Sequence, residues 1–177
     1  AGNNGSGQVG DGLQVLVESP VPVVRRTDTD PTMTEPLTGV LEIRTSTNFG
    51  SFTCARTATT LYCWGSNRSG QLGLGAGESD AVACLDGGDP YDCSRAAAPV
   101  TGIDGATILQ LTLASSHTCA LTSAGTVWCW GDNRAGQLGL GDTTPHTVPT
   151  EVTGLSDVVQ IAAGASHTCV RRSTGDV

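Results

Sequence analysis

Cysteine is the residue type whose spacing in this chain most directly implies chemistry. Seven cysteines occur in 177 residues, and the first six form three close pairs separated by 9, 9 and 10 residues. Zinc-binding cysteines usually have about two to four residues between them, which none of these pairs shows. The spacing therefore predicts local disulfides, formed in an oxidising compartment. The predicted pairs are Cys54 with Cys63, Cys84 with Cys93, and Cys119 with Cys129, and they leave Cys169 unpaired.

Histidine and serine stand side by side twice, at Ser116-His117 and at Ser166-His167. Neighbouring residues of a strand point to opposite faces, so neither pair is arranged as a catalytic Ser–His pair. Both histidines precede a Thr-Cys dipeptide and occupy equivalent positions of a repeated phrase. We therefore interpret His117 and His167 as structural residues.

Three aspartates, Asp86, Asp89 and Asp92, lie in the short loop between Cys84 and Cys93. A Ca²⁺ ion needs several oxygen ligands, but the spacing of these acids does not match an EF-hand loop. We expect a solvated acidic loop closed by its disulfide, with Ca²⁺ binding as the alternative and no other cofactor. The same aspartates are the candidate catalytic residues of a hydrolase or lyase, because no other acids or histidines cluster outside the repeated positions. This is a less favoured alternative, and we expect a chain without enzymatic activity.

The other polar candidates belong to a phrase that the chain repeats. CWGSNRSGQLGLG begins at Cys63, CWGDNRAGQLGLG begins at Cys129, and a degraded copy, GNNGSGQVGDG, begins at Gly2. Such repetition predicts a repeat architecture rather than a catalytic motif. Asn4 and Asn67 fit the N-glycosylation sequon, but they fall inside the phrase, where chance explains the match. The repeated residues that we interpret as structural are Trp64, Trp130, Gln71 and Gln137.

Each repeat also predicts a β-hairpin. In the middle copy, two β-rich runs flank a Gly-containing turn at residues 123–125, and folding about that turn places Cys119 opposite Cys129. The same arithmetic in the preceding copy places Cys54 opposite Cys63. Directly opposed strand residues approach the geometry that a disulfide requires. The two hairpins thus independently predict the same strand register, in which the two cysteines lie directly opposite each other.

The repeating unit predicts an all-β fold. Each unit contains three or four short strands and one Gly-rich loop, and no segment shows sustained helical periodicity. This pattern is typical of β-propeller blades. We expect residues 1–177 to form one propeller-type domain, with repeats 2–64, 65–130 and 131–177, the last one truncated. The insertion at 23–38 is expected to be an exposed loop, and the insertion at 76–98 contains the acidic loop between Cys84 and Cys93. Inserted loops are where repeat proteins often bind their partners.

One family carries this phrase. Trp-Gly-x-Asn-x-x-Gly-Gln-Leu-Gly, with Ile-x-x-Gly-x-x-His-Thr-Cys upstream, resembles the regulator of chromosome condensation (alpha-tubulin suppressor-like) repeat. The resemblance covers nearly the whole chain, although Phe52 replaces the histidine in the first copy. It implies a β-propeller, commonly of seven blades, that works through protein contacts of its loops and faces. We expect the bacterial secreted or cell-surface type.

The composition limits the cellular locations and the classes of partner that this protein can have. The net charge is −8, and all nine cations are arginine, a bias that indicates a GC-rich genome. The acidic balance argues against a nucleic-acid partner. A run of 18 apolar residues, as a membrane span requires, is absent from the sequence. We therefore expect an extracellular, periplasmic or cell-surface protein whose partner is another protein or further copies of itself.

The ends of the sequence suggest a second hypothesis. Ala1 stands where a Trp is expected, and the chain stops after Val177, just before the next Cys-Trp pair. Three interpretations remain open: a piece of a longer propeller, a subunit that assembles with other chains, or a trimmed chain. The favoured function is a non-catalytic binding or scaffold module. The alternative is a structural subunit that builds a ring or filament through its incomplete terminal blades.

Overall fold

The computed structural model describes residues 1–26, 34–47, 50–75, 83–86 and 89–177, and these residues form strands and turns but no helix. No described segment is therefore a helix that could cross a membrane. The strands, in chain order, are β1 (Val24–Arg26), β2 (Thr34–Pro36), β3 (Glu42–Thr45), β4 (Phe52–Arg56), β5 (Leu61–Ser66), β6 (Cys84–Asp86), β7 (Asp89–Tyr91), β8 (Cys93–Pro99), β9 (Ile108–Leu113), β10 (His117–Thr122), β11 (Val127–Gly131), β12 (His146–Glu151), β13 (Val158–Ala163) and β14 (Thr168–Arg172).

The strands form three successive antiparallel units, as expected of an all-β repeat protein. The first unit has the order β8-β5-β4-β3, and the second has the order β12-β11-β10-β9. The third unit is the hairpin of β13 and β14. The three units start at β3, β9 and β13, and the next strand of each unit, β4, β10 or β14, carries the repeat cysteine Cys54, Cys119 or Cys169.

The predicted hairpin register is confirmed in both complete units. Cys54 pairs directly with Cys63 across β4 and β5, and Cys119 pairs directly with Cys129 across β10 and β11. The structure contains the disulfides Cys54–Cys63, Cys84–Cys93 and Cys119–Cys129, while Cys169 is free and exposed. In the second hairpin the chain reverses at Gly125, whose φ of 75° favours glycine.

The units stack face to face and bury two apolar layers. The first layer lies between the first and second units and includes Phe52, Leu61, Leu72, Leu111 and Trp130. The second layer lies between the second and third units and includes Leu121, Val127, Leu138, Val158 and Ile161. Few of these side chains are aromatic, so burial depends on branched aliphatic residues that fit between closely stacked sheets.

Side chains of one unit also satisfy the backbone of the next. The Gln110 side chain donates to the Ile161 carbonyl at 2.8 Å and accepts from the Ile161 amide at 3.0 Å. The Ala163 amide donates to the Thr112 hydroxyl at 3.0 Å. Because buried backbone groups need partners, these bonds fix β13 against β9.

The two insertions contain strands as well as loops. The expectation that residues 23–38 form an exposed loop is wrong in part, because β1 and β2 pair there. β1 also joins the first sheet in parallel with β8, through Arg25 and Ala97, so that the edge of β8 is covered. The second insertion contains the hairpin of β6 and β7 and most of β8. The remaining residues of both insertions lie in part outside the described ranges, and the predicted repeat boundaries stay predictions.

Candidate binding face

The Asn and Gln residues of the repeated phrase bond to their own loops. Asn4, Asn67 and Asn133 each accept, through Oδ1, a hydrogen bond from the backbone amide five residues later, at 2.9–3.0 Å. Gln71 and Gln137 each accept, through Oε1, a hydrogen bond from the amide two residues earlier, at 2.8 and 2.9 Å. These side chains shape the loop, and the buried sequon asparagines are inaccessible in the folded chain.

The repeated tryptophans join one repeat to the next. The Trp130 indole donates to the Gln71 carbonyl at 3.0 Å, and that carbonyl also accepts from the Thr118 hydroxyl at 2.9 Å. The Trp64 indole donates in the same way to the Gln8 carbonyl at 3.0 Å. Both indoles are buried. The arrangement is architectural and leaves neither ring as a platform for a ligand.

The two equivalent histidines lie in different surroundings. His117 is fully buried, and its Nε2 lies 2.9 Å from the Thr168 hydroxyl of the third unit. Burial lowers the pKa of His117 to about 4, although the nearby Asp132 carboxylate opposes this shift. The ring is therefore neutral at physiological pH and holds two units together. His167 is exposed.

The acidic loop is only partly within the described ranges. Asp89 and Asp92 are exposed, whereas the Asp86 side chain lies outside the described residues. Among the residues that the structure describes, no three His, Cys, Asp or Glu side chains come together as a metal site. The Ca²⁺ interpretation, which needs Asp86, stays a prediction.

A polar pocket of 370 Å³ opens on the face where the repeat loops meet, and we call it the serine pocket. Its lining combines loops of the first two copies with the segments that precede β4 and β10. The hydroxyl side chains of the lining are Ser6, Ser51, Ser66, Ser69, Ser115, Ser116 and Tyr91. Arg68 supplies the one cation in that lining, and no Asp or Glu is among the described residues that line it.

Contacts across the first two copies hold this pocket in place. The Arg68 guanidinium lies 3.7 Å from the centre of the Tyr91 ring. The Tyr91 hydroxyl donates to the Ser6 hydroxyl at 2.7 Å. The Ser51 carbonyl accepts from the Ser66 amide at 2.9 Å. The pocket is thus assembled from side chains that are far apart in sequence but tied by direct bonds.

Ser51 has an unusual backbone conformation. Its φ is 53°, in the left-handed region that serine seldom adopts. Such local strain is concentrated at functional sites, where surrounding contacts maintain it. The strained residue lines the serine pocket, which supports a functional interpretation of this face.

Sequence reasoning did not single out Arg68, Tyr91 or Ser51. Arg68 lies inside the repeated phrase, and because that phrase is interpreted as structural, no binding role is predicted for this residue. The one available signal is a difference between copies: Ser66 stands where the next copy has Asp132. Tyr91 carries no repeat signal at all, because it belongs to the inserted hairpin of β6 and β7.

The stacked antiparallel sheets and their repeated loops define a β-propeller protein. The family model described as regulator of chromosome condensation (RCC1) repeat matches residues 60–121 and 124–171. The chain therefore belongs to the RCC1 repeat family.

Two relatives show how much of the chain is shared. The mouse probable E3 ubiquitin-protein ligase HERC4 is 32% identical over 124 residues, which are 68% of this chain and 10% of HERC4. The Arabidopsis thaliana ultraviolet-B receptor UVR8 is 34% identical over 119 residues, 66% of this chain and 24% of the receptor. The chain thus spans only a minor part of these relatives.

Two solved structures support the fold. Human WBSCR16 superimposes with a TM-score of 0.69 at 20% identity, over 98% of this chain and 39% of that protein. Yeast RCC1 (Prp20), solved bound to Kap60, gives a TM-score of 0.64 at 19% identity, over 85% of this chain and 35% of Prp20. At such identities the likeness concerns the fold alone.

Proposed function

We propose that this chain is a non-catalytic β-propeller module, bacterial and secreted or displayed on the cell surface, that binds a protein partner through the face bearing the serine pocket. The observation that carries the proposal is the serine pocket, because residues of the repeated loops and of the inserted β6–β7 hairpin line it together. We further assign the chain to a propeller of seven blades, of which its three units form a part.

The use of polar groups favours binding over catalysis. The repeated Asn and Gln side chains bond to their own loops, and His117 is buried and neutral. The serine pocket is lined largely by hydroxyl groups, which suit recognition, and its lining contains no histidine or carboxylate base among the described residues. Protein binding agrees with the structural neighbour Prp20 of yeast, which was solved bound to Kap60 and was also studied for its binding to Gsp1p and histones.

Location is supported by the disulfides and the charge. Three disulfides stabilise the described sheets and loops, and such bonds persist in oxidising surroundings. A net charge of −8 disfavours binding to nucleic acid and to anionic membrane surfaces. Both features suit an extracellular or periplasmic binding protein.

The test compares two faces of the same molecule. Ser69→Trp fills the serine pocket, whereas Leu109→Ser changes an exposed residue near the turn at 123–125, which lies at the other end of the sheet. Cross-linking on the source cells should capture a protein with the parent chain and with Leu109→Ser but not with Ser69→Trp. Reconstitution with the purified partner should repeat this order of affinities. Equal binding by all three chains would exclude this face.

Self-assembly is the second candidate function, and the third unit favours it. Cys169 and His167 are exposed, whereas the equivalent Cys119 and His117 are buried against neighbouring strands. In the described part of the chain, β14 pairs with β13 alone, so its other edge is open. Sedimentation over a hundredfold range of concentration decides: a mass that rises in multiples of 18.0 kDa supports assembly. A constant monomer mass removes this candidate.

A further inference from the structure

We propose that the open edge of β14 takes up an antiparallel strand of a partner that carries the sequence Cys-Trp-Gly, and that the partner is therefore a further repeat of the RCC1 type. The tryptophan of that strand fills a pocket beside β14, and its cysteine lies opposite Cys169. This surface shares no lining residue with the serine pocket, so the inference does not depend on the proposed function of that face.

The two repeat tryptophans show how a pocket of this kind is filled. Each indole donates to the carbonyl of a glutamine in the preceding loop, at 3.0 Å. Each indole also packs on the glycine two residues after that glutamine. A Cβ on Gly10 would lie 2.6 Å from the indole nitrogen of Trp64, and a Cβ on Gly73 would lie 2.7 Å from that of Trp130. The glutamine carbonyl and the glycine thus form one indole-binding site in each of these loops.

The third copy of the loop has the same site without a tryptophan. Gln137 and Gly139 are the equivalent residues, and a cavity of 410 Å³ opens against them, which we call the indole pocket. Within the part of the chain that the structure describes, no donor bonds to the Gln137 carbonyl. A Cβ on Gly139 meets Val152 alone, at 3.6 Å, whereas the two earlier glycines each meet a valine and an indole. The indole pocket therefore lacks the group that its equivalents bury.

The apolar lining of the indole pocket suits an aromatic ring. Leu138 is buried at its base, and Leu155 and Val170 are partly buried at its sides. Burying such side chains under a tryptophan removes apolar surface from water, and the unpaired carbonyl gives the indole N–H its partner. The pocket thus offers both the contact surface and the acceptor that an indole needs.

The edge of β14 sets where an added strand directs its side chains. In the second unit, Thr118 lies opposite Trp130, and the next residue of β10 forms the hairpin disulfide. Thr168 and Cys169 are the corresponding residues of β14. Neighbouring residues of a strand point to opposite faces. A strand in this register therefore directs its tryptophan back into the indole pocket and its cysteine to the exposed side, opposite Cys169.

A second copy of this chain fits the site less well. Its Trp64 and Trp130 are already buried in their own units, and Ala1 stands at the third equivalent position, where it offers a methyl group instead of an indole. The site asks for an N–H donor on an aromatic ring and a thiol on the preceding residue. Among side chains, tryptophan supplies that donor and cysteine supplies that thiol. A Cys-Trp strand thus satisfies both requirements in one register.

The test measures thiol exchange at Cys169, the free cysteine of the chain. Oxidised glutathione first converts Cys169 of the full chain to a mixed disulfide and releases one glutathione thiol. A blocked peptide with the β5 sequence, residues 61–66, then competes. Its thiolate attacks the Cys169 Sγ, a new Sγ–Sγ bond forms, and the glutathione thiolate leaves and takes up the proton that the peptide thiol lost. This second step involves no net oxidation, so its equilibrium constant reports the contacts that the strand adds.

The parent peptide should have an exchange constant about tenfold or more above that of its Trp64→Ala form, because the buried aromatic ring supplies most of the contact. The Tyr62→Ala form of the peptide is the matched control and should keep most of the gain. All three peptides carry the same thiol, so its reactivity cancels in the comparison. The parent chain alone therefore decides the role of the tryptophan.

Two glycine variants of the chain locate the contact. Gly139→Ala should remove the advantage of the tryptophan peptide, because its Cβ occupies the space of the indole. Gly141→Ala is the control, since its φ of 83° imposes a similar backbone penalty and its Cβ has nothing within 4 Å. Circular dichroism confirms that both variants are folded before exchange is measured.

Equal constants for the parent and Trp64→Ala peptides would mean that Cys169 is an accessible thiol and nothing more, and the inference would fall. Equal losses in the two glycine variants would also overturn it. A disulfide-linked dimer of the chain that persists with the peptide in excess would make a second copy the occupant instead. None of these outcomes affects the serine pocket, which Ser69→Trp tests separately.

Discussion

His117 is buried at the contact between the second and third units, and burial lowers its pKa from 6.5 to about 4. Unfolding restores the ordinary pKa, so between these values the unfolded chain binds a proton that the folded chain does not. The contribution of this group to stability is complete above pH 6.5 and is lost as the pH falls toward 4. The loss is at most roughly 3 kcal/mol, and urea unfolding at a series of pH values measures it.

Substitution separates this histidine from other titrating groups. His117→Gln should flatten the dependence of the unfolding free energy on pH between 6.5 and 4. His167→Gln should change that dependence much less, because the charge of His167 is a smaller cause of the lowered pKa of His117 than burial is. The carboxyl groups of Asp132 and Asp142 have lowered pKa values and affect stability only at lower pH. If the two variants show the same slope, burial of His117 does not control the acid sensitivity.

Within a repeat, the loss of stability on replacing a loop glycine depends on whether that glycine packs against a tryptophan. Gly73 has a φ of 73°, and a Cβ there would lie 2.7 Å from the Trp130 indole nitrogen. Gly139 is the equivalent residue, with a φ of 71° and its nearest atom, on Val152, at 3.6 Å. Alanine at either position pays about 1–2 kcal/mol for the left-handed backbone. Only Gly73→Ala also displaces the indole from the Gln71 carbonyl.

Gly73→Ala should therefore lower the free energy of unfolding by about 1–3 kcal/mol more than Gly139→Ala, as expected for a buried donor that loses its partner. Denaturant unfolding of both variants measures the difference. Tryptophan fluorescence gives a second readout, because only the first substitution moves the Trp130 ring. Equal destabilisation would mean that the loop shifts away from the indole at little cost.

Across the whole molecule, the sequence predicts the strand pairing within one hairpin but not the contacts between segments that are far apart in the chain. The registers that pair Cys54 with Cys63 and Cys119 with Cys129 follow from turn position and strand alternation within one hairpin. The parallel pairing of β1 with β8 joins Arg25 to Ala97, and no local pattern specifies it. The serine pocket is harder still, because residues as distant as Ser6 and Ser116 contribute to it.

The stability of the whole chain should depend on oxidation. Each predicted hairpin disulfide closes a short loop, and the loop across Cys119–Cys129 has a separation of 10 residues. Cross-linking a loop of this size stabilises a fold by about 3 kcal/mol through the entropy of the unfolded chain. Three such bonds are comparable with a typical total stability of about 5–15 kcal/mol. Reduction of all three should therefore leave most of the chain unfolded at moderate temperature.

Refolding from denaturant with and without a thiol reductant tests this, with near-ultraviolet circular dichroism as the measure of packed aromatic side chains. Cys169→Ala is the control, since this free and exposed cysteine contributes to no disulfide and the variant should refold like the parent under oxidising conditions. A reduced chain that regains the full aromatic signal and the same unfolding midpoint would show that apolar stacking alone suffices. The fold would then be stable without its disulfides, and oxidising surroundings would not be needed to maintain it.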